Sequence, residues 1–379
     1  MNQAIKQIAI IGSGIELQMT AAILSAALQS FQLKIVVLAL PQSEESTLTE
    51  AAGPEFSALC QILGLAERDV IRQCQATFRL GNRYLLAKED WFLPFAHLGV
   101  KAQQDDFEQG LFQVIGADNK ANLSPWSAAS SAAMAGKFAI AGNDRPDLRQ
   151  ALDYGVNLSI TDYAKVLQAV HAKHNVEWHQ LSKQTLVFEH DELGKIAKVT
   201  ADKHTVTADF WFDLRSGQTA EQWQDWRSYL PISYRAQWQS TDISLQKPYV
   251  QLQKMDGGWL KTTPLRSSSV YQVFACGDKA QLTNIEQQLS QLKLEPKQTI
   301  NWRKVNCGAL TSPWQGNCLY LGKASIELGG LVFSELQCLQ AALVQFIDMF
   351  PDLPIGEHNR RNYNSIWQRF VQDARDFST

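Results

Sequence analysis

Two glycines two residues apart, Gly12 and Gly14, close the apolar run Ile8–Ile11 and open a helix-forming stretch, IAIIGSGIELQMTAA. Glycine at a strand-to-helix turn lets the backbone come close to a ligand, and the first N–H groups of the helix then point at an anion. Gly12, Ser13, Gly14 and Ile15 are therefore candidates to cradle a pyrophosphate, as in a dinucleotide-binding βαβ unit. The motif is altered: the third glycine of G-x-G-x-x-G is Leu17, with Glu16 beside it in the first helical turn. A carboxylate there steadies the bare helix by roughly 0.3–1 kcal/mol. It also opposes a bound pyrophosphate, which wants the same N–H groups.

Other residue types that could do chemistry are sparse. His171 and His174 are spaced i, i+3 and could reach one metal, but no third ligand is near them in sequence, so no metal site is expected. Six cysteines are scattered without a C-x-x-C, which predicts reduced thiols and a cytoplasmic protein. A formal net charge of −3 gives no general surface for polyanions, so no nucleic-acid partner is expected. The N-terminus lacks a long h-region, and no stretch approaches about 18 uninterrupted apolar residues, so neither a signal peptide nor a membrane partner is predicted. With 379 residues the chain can bury a sizeable core.

These groups need elements to hold them. The pattern predicts a strand over 7–11, a helix over 16–30 and a strand over 33–40, the two strands parallel neighbours through a right-handed crossover. The second strand ends at Leu38-Ala39-Leu40, without the acid that would bind a ribose hydroxyl. Residues 54–75 have helical spacing broken at Gly64, and 101–145 read as a polar insertion or loop region. A helix follows at 159–174, capped by Ser159 or Thr161, then strand-like runs at 185–190, 195–208 and 209–214. The stretch 231–275 alternates as an antiparallel sheet does. Residues 318–322 read as a last buried strand and 334–349 as an amphipathic helix. A nucleotide-binding unit, then an antiparallel sheet, then a returning strand and helix is the layout of large flavin monooxygenases.

Six ordered segments carry a closer likeness: TEAAGPEFSALCQILGL (49–65), CQATFRLGNRYLL (74–86), ADFWFDLRSG (208–217), GGWLKTTPL (257–265), the gapless run 317–352, and VQDARDF (371–377). Through them the chain resembles the flavin-dependent tryptophan halogenases along nearly its whole length. The resemblance implies an α/β fold in which a three-layer FAD/NAD(P)-binding βαβ domain interleaves with a mostly antiparallel substrate domain. The first is expected to draw on 1–90, 150–220 and 305–350, and the second on 91–149 and 221–304. A C-terminal helix over 351–379 would be truncated relative to the family.

The resemblance also implies FAD, a small aromatic substrate or a tryptophan in a protein or peptide, and a partner flavin reductase. In the family, reduced flavin and oxygen oxidise a halide. The hypohalous acid travels to a separate indole site, where a lysine captures or orients it and a glutamate assists loss of the ring proton. Here the lysine aligns with Arg83, whose guanidinium stays protonated with a pKa above ~12 and cannot be a ready haloamine nucleophile. The glutamate aligns with Val332, the adjoining Ser-Thr with Phe333-Ser334, and the second signature tryptophan with Lys261. The candidate catalytic residues are thus Arg83, Trp259 and Lys261. Arg83 could orient an anion or form a structural ion pair; Trp259 could stack on a substrate or fill the core; Lys261 could replace the missing lysine or lie solvated at a sheet edge. His97 falls in the loop that resembles the family's flavin-side loop. For the cofactor the likeness adds Glu50, Ala51, Gly322, Gly330 and Leu331 to the glycine turn. The expectation is a halogenase-like oxidoreductase with altered or lost halogenation, oxygenating an indole or other aromatic group. The alternatives are a non-catalytic partner or regulator, and a binder of aromatic ligands.

Overall fold

The computed structural model describes residues 5–42, 47–96, 124–140, 151–183, 185–215, 222–294, 296, 299–350 and 356–379. The N-terminal unit is β1 (Gln7–Gly12), α1 (Gly14–Ala27) and β2 (Lys34–Ala39), with β1 and β2 parallel and Gly12 opposite Ala39. A short 3-10 turn at Gln29–Phe31 ends the crossover earlier than the predicted helix, and Gln32 reverses the chain at φ 52°. β1 sits inside a six-stranded sheet. Phe210–Asp213 lies on its other side, then Cys318–Tyr320 and Trp314–Gln315; Glu177–Gln180 flanks β2. All these pairs are parallel except the last hairpin, Trp314–Gln315 with Cys318–Tyr320.

Alternation along β1 builds three layers. Ile8 and Ile10 pack with α1 and the helices Ile160–Ala172 and Glu335–Met349. Ala9 and Ile11 face the opposite way, onto Val199 and Val206 of a small antiparallel sheet spanning 187–207. The run expected as one strand over 195–208 is a hairpin, because Asp202 takes a φ of 51° and turns the chain.

The second large sheet has seven strands, in the order Arg303–Lys304, Ile232–Ser240, Ser268–Cys276, Gly258–Leu265, Val250–Met255, Gly81–Leu85, Asp90–Pro94. It is antiparallel, as 231–275 predicts, except that Gly81–Leu85 joins Val250–Met255 in parallel. Helix Lys279–Gln291 covers part of one face. A three-stranded antiparallel sheet, with Gly155–Ser159 between Thr49–Ala52 and Thr77–Arg79, links the two larger sheets.

The Ala- and Ser-rich segment after residue 123 is not wholly loop. Ala128–Met134 is a helix, capped by the Ser127 hydroxyl accepting from the Ser130 N–H at 3.1 Å. Alanine's high helix propensity outweighs the polar character that suggested a loop. The rest of the predicted insertion over 101–145 lies largely outside the described residues, as does His97. The C-terminal helix, Glu357–Ser378, buries Tyr363, Trp367, Val371 and Ala374 on one stripe. Each fully buried aromatic of this kind contributes about 1.5–3 kcal/mol. Among the described residues no helix is long and apolar enough to cross a membrane.

Candidate functional site

The glycine turn has the geometry its sequence predicts. A Cβ at Gly12 would meet the Leu214 side chain at 2.9 Å, and Gly14 has a φ of 65°, which favours glycine. Helix α1 begins at Gly14, which puts Ile15 and Glu16 in its first turn. Leu17, where a third glycine would stand, is buried in the core.

Glu16 turns toward a second glycine, Gly322, where a Cβ would lie 2.6 Å from its Oε2. The Lys323 backbone N–H reaches the same carboxyl. Oε1 is shut off from solvent without a hydrogen-bond partner. Burial pushes Glu16 up to about 7; Glu335 adds to the rise, while Lys323 and Arg235 oppose it. Glu335, in the first turn of Glu335–Met349, pairs with Arg235 at 2.6 Å and with Lys323 at 3.4 Å. Burial pushes its carboxyl up too, but the two cations outweigh burial and hold it below its ordinary range.

A second charged group lines the same cleft. Ser334 caps helix Glu335–Met349 in a capping box: its Oγ accepts from the Gln337 N–H at 3.0 Å, and the Gln337 side chain accepts from the Ser334 N–H at 3.0 Å. The Ser334 hydroxyl also donates to Glu50 Oε1. Lys261, 4% exposed, donates from Nζ to the Gly330 carbonyl at 2.9 Å. Burial pushes Lys261 down to about 8, and Arg79 adds to that; Glu50 and Glu335 oppose it. Burial pushes Glu50 up to about 7 against the Ser334 hydroxyl, Lys261 and Arg79. Burial thus shifts the amine and the carboxyl toward their neutral forms, the direction that favours acid–base work at such a site.

Sheet register separates the candidates. Lys261 opposes Leu252, which opposes Tyr84 on the next strand, so these three share a face. Trp259, two residues before Lys261, is on that face as well. Tyr84, Leu252, Trp259, Leu331 and Ala51 gather there as an apolar patch beside Lys261. Arg83 opposes Gln251, which opposes Thr262 on the next strand, so it lies on the other face. There it pairs with Asp90 at 2.6 Å and donates to the Tyr249 hydroxyl at 3.1 Å.

Gly81 divides the segment 74–86 into two strands, Thr77–Arg79 and Gly81–Leu85. A Cβ there would meet the Leu93 carbonyl at 2.1 Å, and the chain passes at this point from one sheet to another. The cation beside Glu50 and Lys261 is Arg79, from the first of the two strands. It is 3% exposed, donates to the Ala51 carbonyl and to Asn82 Oδ1 at 2.6 Å each, and is pushed down to about 10 by burial. Sequence reasoning missed Arg79; the signal was the Leu80-Gly81 break just after it.

The remaining predicted residues divide simply. Ile15, Glu50, Ala51, Lys261 and Gly330 line the cleft. Gly322 and Leu331 adjoin it through Glu16 and the apolar patch. His171 bonds Gln18 at 2.7 Å and stacks on Trp178, and among the described residues no group of three His, Cys, Asp or Glu could hold a metal.

FAD, implied by the sequence resemblance, meets a mixed reception. The backbone fits: the Gly12–Gly14 turn, Gly322 at φ 56° and Gly330 at φ 82° leave bare backbone along the cleft. As the side chains stand, about 30 Å³ is open to water-sized molecules, room for about two waters. An ionised Glu16 also opposes a diphosphate.

The model of the tryptophan halogenase family matches residues 7–379. Tryptophan 6-halogenase ThaL from Streptomyces albogriseolus is 25% identical over all of this chain and 76% of its own length. The solved structure of BrvH, a flavin-dependent halogenase from Brevundimonas sp. BAL3, superposes with a TM-score of 0.86 at 22% identity, covering 100% of this chain and 78% of BrvH. MibH, a lanthipeptide tryptophan 5-halogenase, superposes with a TM-score of 0.79 at 16% identity, covering 98% of this chain and 72% of MibH. With its parallel and antiparallel sheets arranged as in these structures, and the family pattern running from β1 to the last helix, the chain belongs to the tryptophan halogenase family.

Proposed function

We propose that this protein is a flavin-dependent oxidoreductase that modifies an indole or other aromatic group, with chemistry altered from halogenation of free tryptophan. Members of its family use FAD. FAD, when bound and reduced, supplies the oxygen-activating ring; a partner reductase would deliver the reduced flavin. The Gly12–Gly14 turn, Gly322 and Gly330 would hold it.

The observation that carries the reading is Lys261. Its ammonium is buried at the cleft, fixed on the Gly330 carbonyl, and set on the same sheet face as Trp259 and Tyr84. The Lys261 ammonium would orient an oxygen-bearing oxidant by hydrogen bonding, Glu50 would accept the proton released from the substrate, and Ser334 would hold the Glu50 carboxyl in place. The aromatic side chains offer an indole a stacking surface. A tryptophan in a peptide is a candidate substrate, given the likeness to the lanthipeptide halogenase MibH.

The test supplies reduced FAD, oxygen and a panel of indoles and tryptophan peptides, with and without halide, and reads product mass. Oxygen insertion, or halogenation of a substrate other than free tryptophan, that disappears in Lys261→Met supports the assignment. Turnover unchanged in Lys261→Met overturns it. A second reading, a non-catalytic relative acting as a partner or regulator, is favoured by one observation: the Glu16 carboxyl stands against Gly322 and the Lys323 N–H. It predicts no oxygen uptake from reduced flavin with any substrate.

A further inference from the structure

Glu16 has no part in the chemistry above, yet it is held where a ligand's charge would go. It stands in the first turn of the fourteen-residue helix α1, among N–H groups without helical partners. It takes the Lys323 N–H and lies so near Gly322 that no side chain fits between. Its Oε1 is enclosed and unpartnered. The charged groups facing it are Lys323 from the turn after Cys318–Tyr320, Glu335 from the helix Glu335–Met349, and Arg235 from the strand Ile232–Ser240. Two carboxyls meet two cations, and Glu335 already pairs with both cations. No excess positive charge is left for a diphosphate while Glu16 is ionised. Glu50 and Lys261, further along the cleft, attract each other as opposite charges.

We propose that Glu16 is a built-in anion that fills the diphosphate place of the cleft, so that dinucleotide binds only when this carboxyl is neutral or displaced. Binding is then linked to uptake of about one proton. Burial has already brought the carboxyl up to about 7, so it changes state within the ordinary working range. The sign follows: a group protonated in the complex favours binding below its free-protein pKa and weakens it above. The inference rests on the flavin reading given above, and deepens it by assigning the residue that sets cofactor affinity.

The experiment titrates the full chain with FAD, ADP and riboflavin by calorimetry between pH 6 and pH 9, using wild type, Glu16→Gln and Glu16→Ala. Thermal melts confirm that each variant is folded. For wild type, FAD and ADP affinity should fall roughly tenfold per pH unit above about 7. Glu16→Gln should abolish that slope and bind both roughly tenfold tighter or more at pH 8. Riboflavin has no phosphate, so its affinity should not change between the proteins. Buffers of different ionisation enthalpy should report about one proton taken up per FAD by wild type and none by Glu16→Gln. If wild type binds FAD as tightly as both variants, without a pH slope, the inference falls and the flavin reading stands. If none of the proteins takes FAD or ADP at any pH, both fall.

Discussion

Two carboxyls of one cleft, Glu16 and Glu50, are both pushed up to about 7 by burial, yet their surroundings differ. Glu50 sits on a strand, takes a hydroxyl from Ser334 and faces a buried ammonium. Glu16 sits at a helix start, with one oxygen enclosed and unpartnered. The first is held in a network whose members offset one another. The second is offset only in part, by Lys323 and Arg235, and keeps an unpartnered oxygen, so it gives way more readily to an incoming anion. A raised pKa alone does not tell a working base from a displaceable occupant; the partners do.

The largest test removes the partner of Glu50. Lys261→Met should lower turnover by roughly a hundredfold or more, read as product formed per enzyme under reduced flavin. Equal loss in Glu50→Gln, with no further loss in the double variant, would show the two acting as a unit.

Stability against pH sharpens the contrast next. Glu16 binds its proton more tightly in the folded protein than in the unfolded chain, so its contribution is full below about 4.5 and is lost as pH rises toward about 7. Glu16→Gln, which mimics the neutral acid, should therefore be more stable than wild type at pH 8, by roughly 1–3 kcal/mol, and nearly equal to it at pH 4. Denaturant melts at the two pH values check this; a variant less stable at pH 8 would show that Lys323 and Arg235 need the charge.

A smaller effect is expected at the hinge of the network. Ser334→Ala removes both the helix cap and the hydroxyl on Glu50, and should cost about 1 kcal/mol. It should also move the acidic limb of the activity–pH profile upward, because the hydroxyl stabilises ionised Glu50. The smallest belongs to the residue on the wrong face. Arg83→Ala should leave turnover unchanged and cost about 0.2–1 kcal/mol for its half-exposed pair with Asp90.

Local pattern made much of the fold readable: β1, the glycine turn and α1 follow from an apolar run, two glycines and a helix former, and of the two candidate caps Ser159 and Thr161 it is Ser159 that caps its helix. The cleft was only half readable. Gly12, Gly14, Glu50, Lys261 and Gly330 come from the sequence, because glycine turns and family-like segments are local. Arg83 and Arg79 change places because a single glycine, Gly81, moves the chain from one sheet to another and resets which side each arginine faces. The Ser334–Glu50 contact joins residues 284 apart, a separation no local pattern encodes.

That separation has a consequence for biogenesis. Glu50 leaves the ribosome 284 residues before Ser334 and the helix it caps. Until that helix is made, the Glu50 carboxyl has no Ser334 hydroxyl to hold it. The cleft therefore closes only once the helix Glu335–Met349 has been made and docked, so it is completed by a contact of long sequence separation.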